Sequence, residues 1–218
     1  VSTTKPVVVY GASGYTGRLV CEYLREYGVP FVAAGRDGGK LKSAMESHVA
    51  GIETADHEIV EVAHDVASLT ELFRGASVVC NTVGPFSTLG PEVVEACLAA
   101  GVHYTDTTGE QDWLITCDER YGADFAAAGL LLSPGIAHMY TTGEIAAELC
   151  LEQPGLDTLD IAVFWGGSPT IASTLTILVN AATSKAHHLH QNAYVEFDPG
   201  QGLLPLVVPG QHELAQSL

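Results

Sequence analysis

The 218-residue sequence predicts an α/β protein, a doubly wound parallel sheet followed by a partial α+β second domain. Three observations carry this expectation. Short β-branched or apolar runs alternate with amphipathic segments as far as Pro134; the first run leads straight into a glycine-rich turn and a helix; and beyond Pro134 the alternation gives way to a different pattern. Parallel strands need crossover helices that cover both faces of the sheet, so sustained alternation of this kind marks a doubly wound sheet with ligands at the carboxyl ends of its strands.

The elements follow in order. Residues 5–10 (KPVVVY) form a short strand-like run, Gly11-Ala12-Ser13-Gly14-Tyr15-Thr16-Gly17 follows at once, and Leu19, Val20, Tyr23, Leu24 and Tyr27 then recur at helical spacing. Gly28 and Pro30 stop that helix, and residues 30–36 read as a second strand ending at Gly35 and Arg36. Strands are predicted over 58–62, 76–80, 102–104 and 130–132, with helices over 66–73, 91–100 and around 118–127. Past Pro134 come a helix over 141–151, a strand over 159–165, and a helix that opens at Ser168-Pro169 and carries Ile171, Leu175, Leu178, Val179 and Ala182 on one face. Residues 193–197 read as a last strand, and the tail from Pro199, rich in Gly and Pro, shows no periodicity. We divide the chain into residues 1–154, the sheet domain, and 155–218, part of a substrate-binding or dimerisation domain whose ending HELAQSL suits the front of a longer enzyme.

Composition narrows the function classes. A 47% hydrophobic chain with a net charge of −17 folds, and it repels nucleic acid and anionic membrane surfaces, so no nucleic-acid partner is expected. No apolar stretch reaches the roughly 18 to 20 residues of a spanning helix, and the start VSTTKPVVVY runs into a strand rather than a signal peptide, which places the protein in the cytoplasm. The five cysteines, Cys21, Cys80, Cys97, Cys117 and Cys150, form no CxxC pair and are odd in number, as befits reduced, mostly buried thiols.

The glycine turn carries the chemistry. Gly11 and Gly14 permit a tight turn and let a pyrophosphate approach the backbone, where Ala12, Ser13, Tyr15 and Thr16 stand beside the amides of a helix N-terminus, while Gly17 lets helix and strand pack closely. Flanked by a strand and a helix within a βαβ unit, this is a dinucleotide-binding, Rossmann-type fingerprint. At the end of the second strand an acidic residue would bind the ribose hydroxyls of NAD; here Arg36 stands there, with Lys40 close behind, which favours NADP(H) over NAD(H), although Asp37 keeps NAD open. Asp65 and Val66 end the third strand, where Asp65 either flanks the adenine or caps the next helix. Thr82, Val83, Gly84, Pro85 and Phe86 follow the fourth strand beside the cofactor's central portion. Thr108 and Gly109, in the polar segment 103–110, lie where a nicotinamide ring is expected.

Taken together, GASGYTG (11–17), AAGR (33–36), VGPF (83–86) and GPEVVEACLAAGVHYTDTTGE (90–110) resemble the saccharopine dehydrogenase-like superfamily, which includes saccharopine reductases and trans-acting enoyl reductases. The resemblance covers roughly residues 7–135 and implies an NADP-binding Rossmann domain followed by a mixed α/β domain that helps shape the substrate site and often mediates dimerisation, so a homodimer is a candidate assembly. Where the enoyl reductase branch typically continues with an Asp-Ser loop, this chain reads Ser133-Pro134-Gly135-Ile136-Ala137-His138-Met139-Tyr140.

For the reaction itself, Asp106, His138 and Tyr140 are the candidates for proton transfer or substrate polarisation. No lysine follows a tyrosine at the Tyr-x-x-x-Lys spacing, so that proton relay is absent. His187, His188 and His190 raise a metal, but no Cys accompanies them and the segment reads as a helix end, where the dipole favours histidine; no metal is expected. The reading is a hydride transfer between NADPH and a small or lipid-derived, neutral carbonyl or enoyl compound, because beyond residue 42 the chain offers only Arg74, Arg120 and Lys185 to pair with carboxylates. The alternatives are a non-catalytic NADP-binding sensor or scaffold and an amino-acid imine reductase of the saccharopine type.

Overall fold

The computed structural model describes residues 5–156, 159, 161, 163, 168–183, 186–190, 193–197, 205–207 and 214–216. Its centre is a six-stranded sheet of order β3-β2-β1-β4-β5-β6 in which every neighbouring pair is parallel. The strands are β1 (Val7–Tyr10), β2 (Phe31–Gly35), β3 (His57–Glu61), β4 (Val78–Asn81), β5 (His103–Asp106) and β6 (Leu132–Ser133). Between them run α1 (Tyr15–Glu26), α2 (Gly38–His48), α3 (Val66–Phe73), α4 (Phe86–Ala100), α5 (Gln111–Thr116) and α6 (Ala123–Ala127). The chain starts in the middle of the sheet, winds outward through β2 and β3, then returns to β4 on the other side of β1, so the strand order reverses between β1 and β4. In open α/β sheets the ligand crevice lies at this reversal, outside the carboxyl ends of the strands.

Both faces of the sheet are covered, which is why the strands are apolar almost throughout. On one face Val9, Phe31 and Ala33 pack under α1 and α2 with Cys21, Leu41 and Met45; on the other Val8, Tyr10, Val32 and Val79 pack with Leu69, Phe73, Val94, Cys97 and Trp113. Alternate residues of β1 thus feed the two cores, as the two-residue period of a strand requires. The register sets Tyr10 level with Ala34 and Asn81, and Asn81 level with Asp106, so four strand ends line up along the crevice.

Several elements differ from the sequence reading. Helix α2 was not foreseen, although Leu41, Ala44 and Met45 form its buried stripe and Asp37 caps it; its charged exposed face masked the period. Helix α4 begins at Phe86, with Pro91 inside it rather than at its first position. The helix expected around 118–127 is the end of a longer helical stretch whose middle, Cys117–Gly122, is π-helical.

Beyond the sheet, α7 (His138–Leu151) and α8 (Ile171–Thr183) match the expected helices, and β7 (Ala186–His190) pairs antiparallel with β8 (Ala193–Phe197). His187, His188 and His190 therefore stand on a strand and not at a helix end. In the tail that showed no periodicity, β9 (Pro205–Val207) pairs with β10 (Leu214–Gln216), each too short to show alternation. Most of the strand expected over 159–165 lies outside the described residues. Among the described residues no helix is long and apolar enough to cross a membrane, and no cluster of His, Cys, Asp and Glu is placed to hold a metal ion. All five cysteines are free; Cys21, Cys97 and Cys117 are buried and Cys150 is exposed.

Candidate functional site

The turn between β1 and α1 is built on three glycines that do different things. Gly11 has φ +91°, the left-handed region, and a side chain there would meet Thr82 Oγ1 and Val83 Cγ2 at 2.7 Å. The amides of Gly11 and Ala12 donate to Ala34 O at 2.9 and 3.2 Å, which ties the turn to the end of β2. At Gly17 a Cβ would drive into Gly11 O and the Ala12 backbone, so helix and strand touch there. Gly14 is the N-cap of α1 with an ordinary extended backbone, and a Cβ there would meet a single atom, Gly11 O at 3.2 Å. The space above Gly14 is open. No side chain caps α1, and its first turn carries no acidic residue.

The three helices that follow β2, β3 and β4 are closed by carboxylates. Asp37 accepts from Lys40 N at 2.8 Å and Glu61 Oε2 from Gly38 N at 2.7 Å at the start of α2. Asp65 accepts from the amide and hydroxyl of Ser68 at 2.8 and 2.9 Å at the start of α3, and these bonds hold its carboxyl below the usual carboxylate range. Glu110, 2% exposed, accepts from Phe86 N at 2.8 Å and Ser87 N at 2.9 Å at the start of α4. An anion arriving at the crevice meets negative charge at α2, α3 and α4, and free amides with the positive end of the helix dipole at α1. The structure thus brings Gly11, Ala12, Ser13, Gly14, Tyr15, Thr16 and Gly17 together as a cradle that fits a pyrophosphate, and Asp65 into the role of a cap.

Arg36 follows β2 directly and is exposed, as is Lys40 in the first turn of α2. Beside them, Tyr10 stacks on His64 with ring centroids 5.9 Å apart and planes 4° from parallel, and Tyr10 Oη lies 2.8 Å from His64 Nδ1. His64 Nε2 in turn faces Glu92 at 3.6 Å. Burial pushes the Tyr10 phenol up, and the nearby Arg36 guanidinium works against that rise. Sequence reasoning missed His64; its signal was a histidine directly before the Asp65 cap, at the mouth of the crevice. Val66 packs against the core beneath.

At the other end of the crevice three of the expected site residues, Asp106, Thr108 and Phe86, have buried side chains. Asp106 is 0% exposed, and its carboxylate accepts from Tyr104 Oη at 2.7 Å, Trp113 Nε1 at 2.8 Å, Thr108 N at 3.0 Å and Gly135 N at 2.8 Å. Both its oxygens are turned to these four donors inside the protein, and through them it holds the surrounding loops. Thr108 is also buried, its hydroxyl accepting from Glu110 N at 3.0 Å, so only its backbone remains for a cofactor. The Phe86 side chain belongs to the core, while its amide serves Glu110.

The same network reaches the β4 loop. Val83 N donates to Asn81 Oδ1 at 3.0 Å, Asn81 Nδ2 donates to Tyr104 Oη at 3.2 Å, and Thr82 Oγ1 donates to Tyr10 O at 2.9 Å. Thr82, Val83, Gly84 and Pro85 are partly exposed along the crevice. Through Gly135, and through Ile136 N donating to Asp106 O at 2.8 Å, the network fixes the entry to α7. There Tyr140 Oη donates to Gly109 O at 3.3 Å, and burial, with Glu144 adding to it, raises the phenol above its ordinary value. His138 is exposed at the first position of α7. Of the three expected catalytic groups, half-buried Tyr140 reaches Gly109, His138 is exposed at the start of α7, and Asp106 holds the loop that enters α7.

Comparison with known proteins agrees with this geometry. The family model described as the saccharopine dehydrogenase NADP binding domain matches residues 7–128, and a family of unknown function, DUF5938, matches residues 141–218. A human saccharopine dehydrogenase-like oxidoreductase is 32% identical over 139 residues, covering 58% of this chain and 32% of its own length. A protein of Mycobacterium tuberculosis named as a trans-acting enoyl reductase is 28% identical over 220 residues, covering 93% of this chain and 51% of its own. The chain therefore spans about a third to a half of these relatives. Among solved structures, the saccharopine dehydrogenase (L-Glu forming) of Saccharomyces cerevisiae shares the fold, with a TM-score of 0.55, 14% identity, and coverage of 94% of this chain and 48% of that one.

Proposed function

The chain belongs to the family of saccharopine dehydrogenase NADP-binding domains, and from that premise we propose that it is the cofactor-holding part of an oxidoreductase that moves a hydride between NADP(H) and a neutral or lipid-derived carbonyl or enoyl compound. The observation that carries the reading is the free N-terminus of α1 beside three carboxylate-closed helices. Bound there, the nicotinamide supplies the hydride. The chain's own residues do the rest: the α1 amides hold the pyrophosphate, Arg36 and Lys40 meet the 2′-phosphate, and Thr82 to Pro85 with Gly109 flank the path toward the ring. Tyr140, whose hydroxyl lies against Gly109 O, offers a donor to polarise or protonate the substrate, and His138, at the first position of α7, is the second candidate.

A charge-assisted phosphate contact at a partly solvated site contributes roughly 1.5 to 3 kcal/mol, about a tenfold to hundredfold change in affinity. Arg36→Ala is therefore expected to remove most of the preference for NADPH over NADH in calorimetric titrations; a wild type with equal affinities rejects the assignment. In the full-length enzyme, Tyr140→Phe is expected to lower kcat by about a hundredfold or more while leaving NADPH affinity within twofold. An unchanged kcat would remove Tyr140 from the reaction.

The neutral substrate rests on charge. Arg74 and Arg120, two of the three cations beyond residue 42, are turned to Glu71 and Glu95 at 3.0 Å each, which leaves little to meet the carboxylates of an amino-acid substrate. The enoyl reductase relative supports the same reading. Steady-state assays of the full-length protein with saccharopine and with neutral enoyl and carbonyl compounds test it; turnover of saccharopine alone rejects it. We place the domain division at residue 154, where α7 has ended and Gly155 turns the chain at φ +88°, and the protein in the cytoplasm, as its free thiols suggest; recovery in a membrane or lipid-body fraction would overturn that placement.

A further inference from the structure

We propose that Glu61 is a specificity-determining residue that opposes the cofactor's 2′-phosphate and so limits the preference for NADPH, an inference that rests on the cofactor placement given above. In the parallel register Glu61 stands opposite Gly35, the last residue of β2 and the neighbour of Arg36. Its Oε2 accepts from Gly38 N at 2.7 Å, and a Cβ added at Gly38 would lie 2.9 Å from that same oxygen. Asp37 Oδ1 accepts from Lys40 N at 2.8 Å.

A phosphate drawn to Arg36 therefore arrives between two cations, Arg36 and Lys40, and two carboxylates, Asp37 and Glu61. Of the other charges nearby, Lys42 faces Glu46 at 3.9 Å on the exposed side of α2. Asp37 is fixed by its capping duty, since removing it leaves the α2 amides unmet. Glu61 is different: its contact with Gly38 N needs an acceptor but not a charge, so glutamine keeps the bond and removes the repulsion. The adenosine hydroxyls of NADH carry no charge and do not register the change. A full charge several ångströms from a dianionic phosphate in a solvated crevice alters affinity by about three- to tenfold at low salt, less as screening rises.

The experiment compares NADPH and NADH binding to wild type, Glu61→Gln and Glu58→Gln by calorimetry, at low and at high salt. Glu58→Gln, toward the other end of β3, changes net charge equally and controls for the field of the whole protein. The expected result is NADPH bound about three- to tenfold tighter by Glu61→Gln, NADH unchanged within twofold, the gain shrinking in high salt, and Glu58→Gln like wild type. NADPH affinity unchanged or lowered in Glu61→Gln, or raised equally for both cofactors, overturns the proposal. Failure of the cofactor placement itself looks different: wild type would bind neither dinucleotide, or Arg36→Ala would leave its preference for NADPH intact.

Discussion

Asp106→Ala is expected to cost at least about 4 kcal/mol of folding stability, because it strips the acceptor from four buried donors. Each orphaned donor carries a desolvation penalty of roughly 1 to 3 kcal/mol, and a domain of this kind has only about 5 to 15 kcal/mol in all. Asp106→Asn should lie between, since one amide oxygen still accepts while the amide nitrogen faces donors. Urea unfolding followed by tryptophan fluorescence measures both. A loss under about 1 kcal/mol for the alanine variant would return Asp106 to the list of groups that act on substrate.

The second large effect falls on binding and spares the fold. Gly14→Val should abolish measurable NADPH binding, a loss of roughly a hundredfold or more, because the side chain fills the space that the pyrophosphate needs. Stability should fall modestly and leave a folded protein: the backbone at Gly14 is extended, with φ −74°, and the added carbon meets one atom, Gly11 O at 3.2 Å, which has to yield by a few tenths of an ångström. Gly17→Ala provides the contrast, since its methyl group collides with the Gly11 carbonyl and the Ala12 backbone, and it should destabilise the domain whether or not cofactor is present. Undiminished NADPH affinity in folded Gly14→Val would mean that the glycine turn serves the fold alone.

The sheet and its glycine turn were legible in the sequence because both depend on local patterns. Val7 to Tyr10 is buried on two faces and so reads as a continuous apolar run, and the α1 stripe repeats at helical spacing. Helix α2 was not legible, since its eleven residues bury only Leu41, Ala44 and Met45 and the rest are charged or small. Asp106 looked catalytic for a reason that sequence cannot resolve. A polar residue at the end of β5 points either into the crevice or into the core, and the donors that decide it come from Tyr104, Thr108, Trp113 and Gly135. The closing of α2 by Glu61 and of α4 by Glu110 was equally hidden, because each joins residues 23 or 24 positions apart through the strand register.

The central claim is that the cofactor's pyrophosphate rests on α1, the one helix among the four following β1 to β4 whose N-terminus no carboxylate closes. A crystal structure of the protein grown with NADP tests this most directly. The account predicts pyrophosphate oxygens within hydrogen-bond distance of the backbone amides around Gly14 to Thr16, with the 2′-phosphate beside Arg36. A pyrophosphate seated at α2, α3 or α4 instead, with Gly14 left clear, would contradict it.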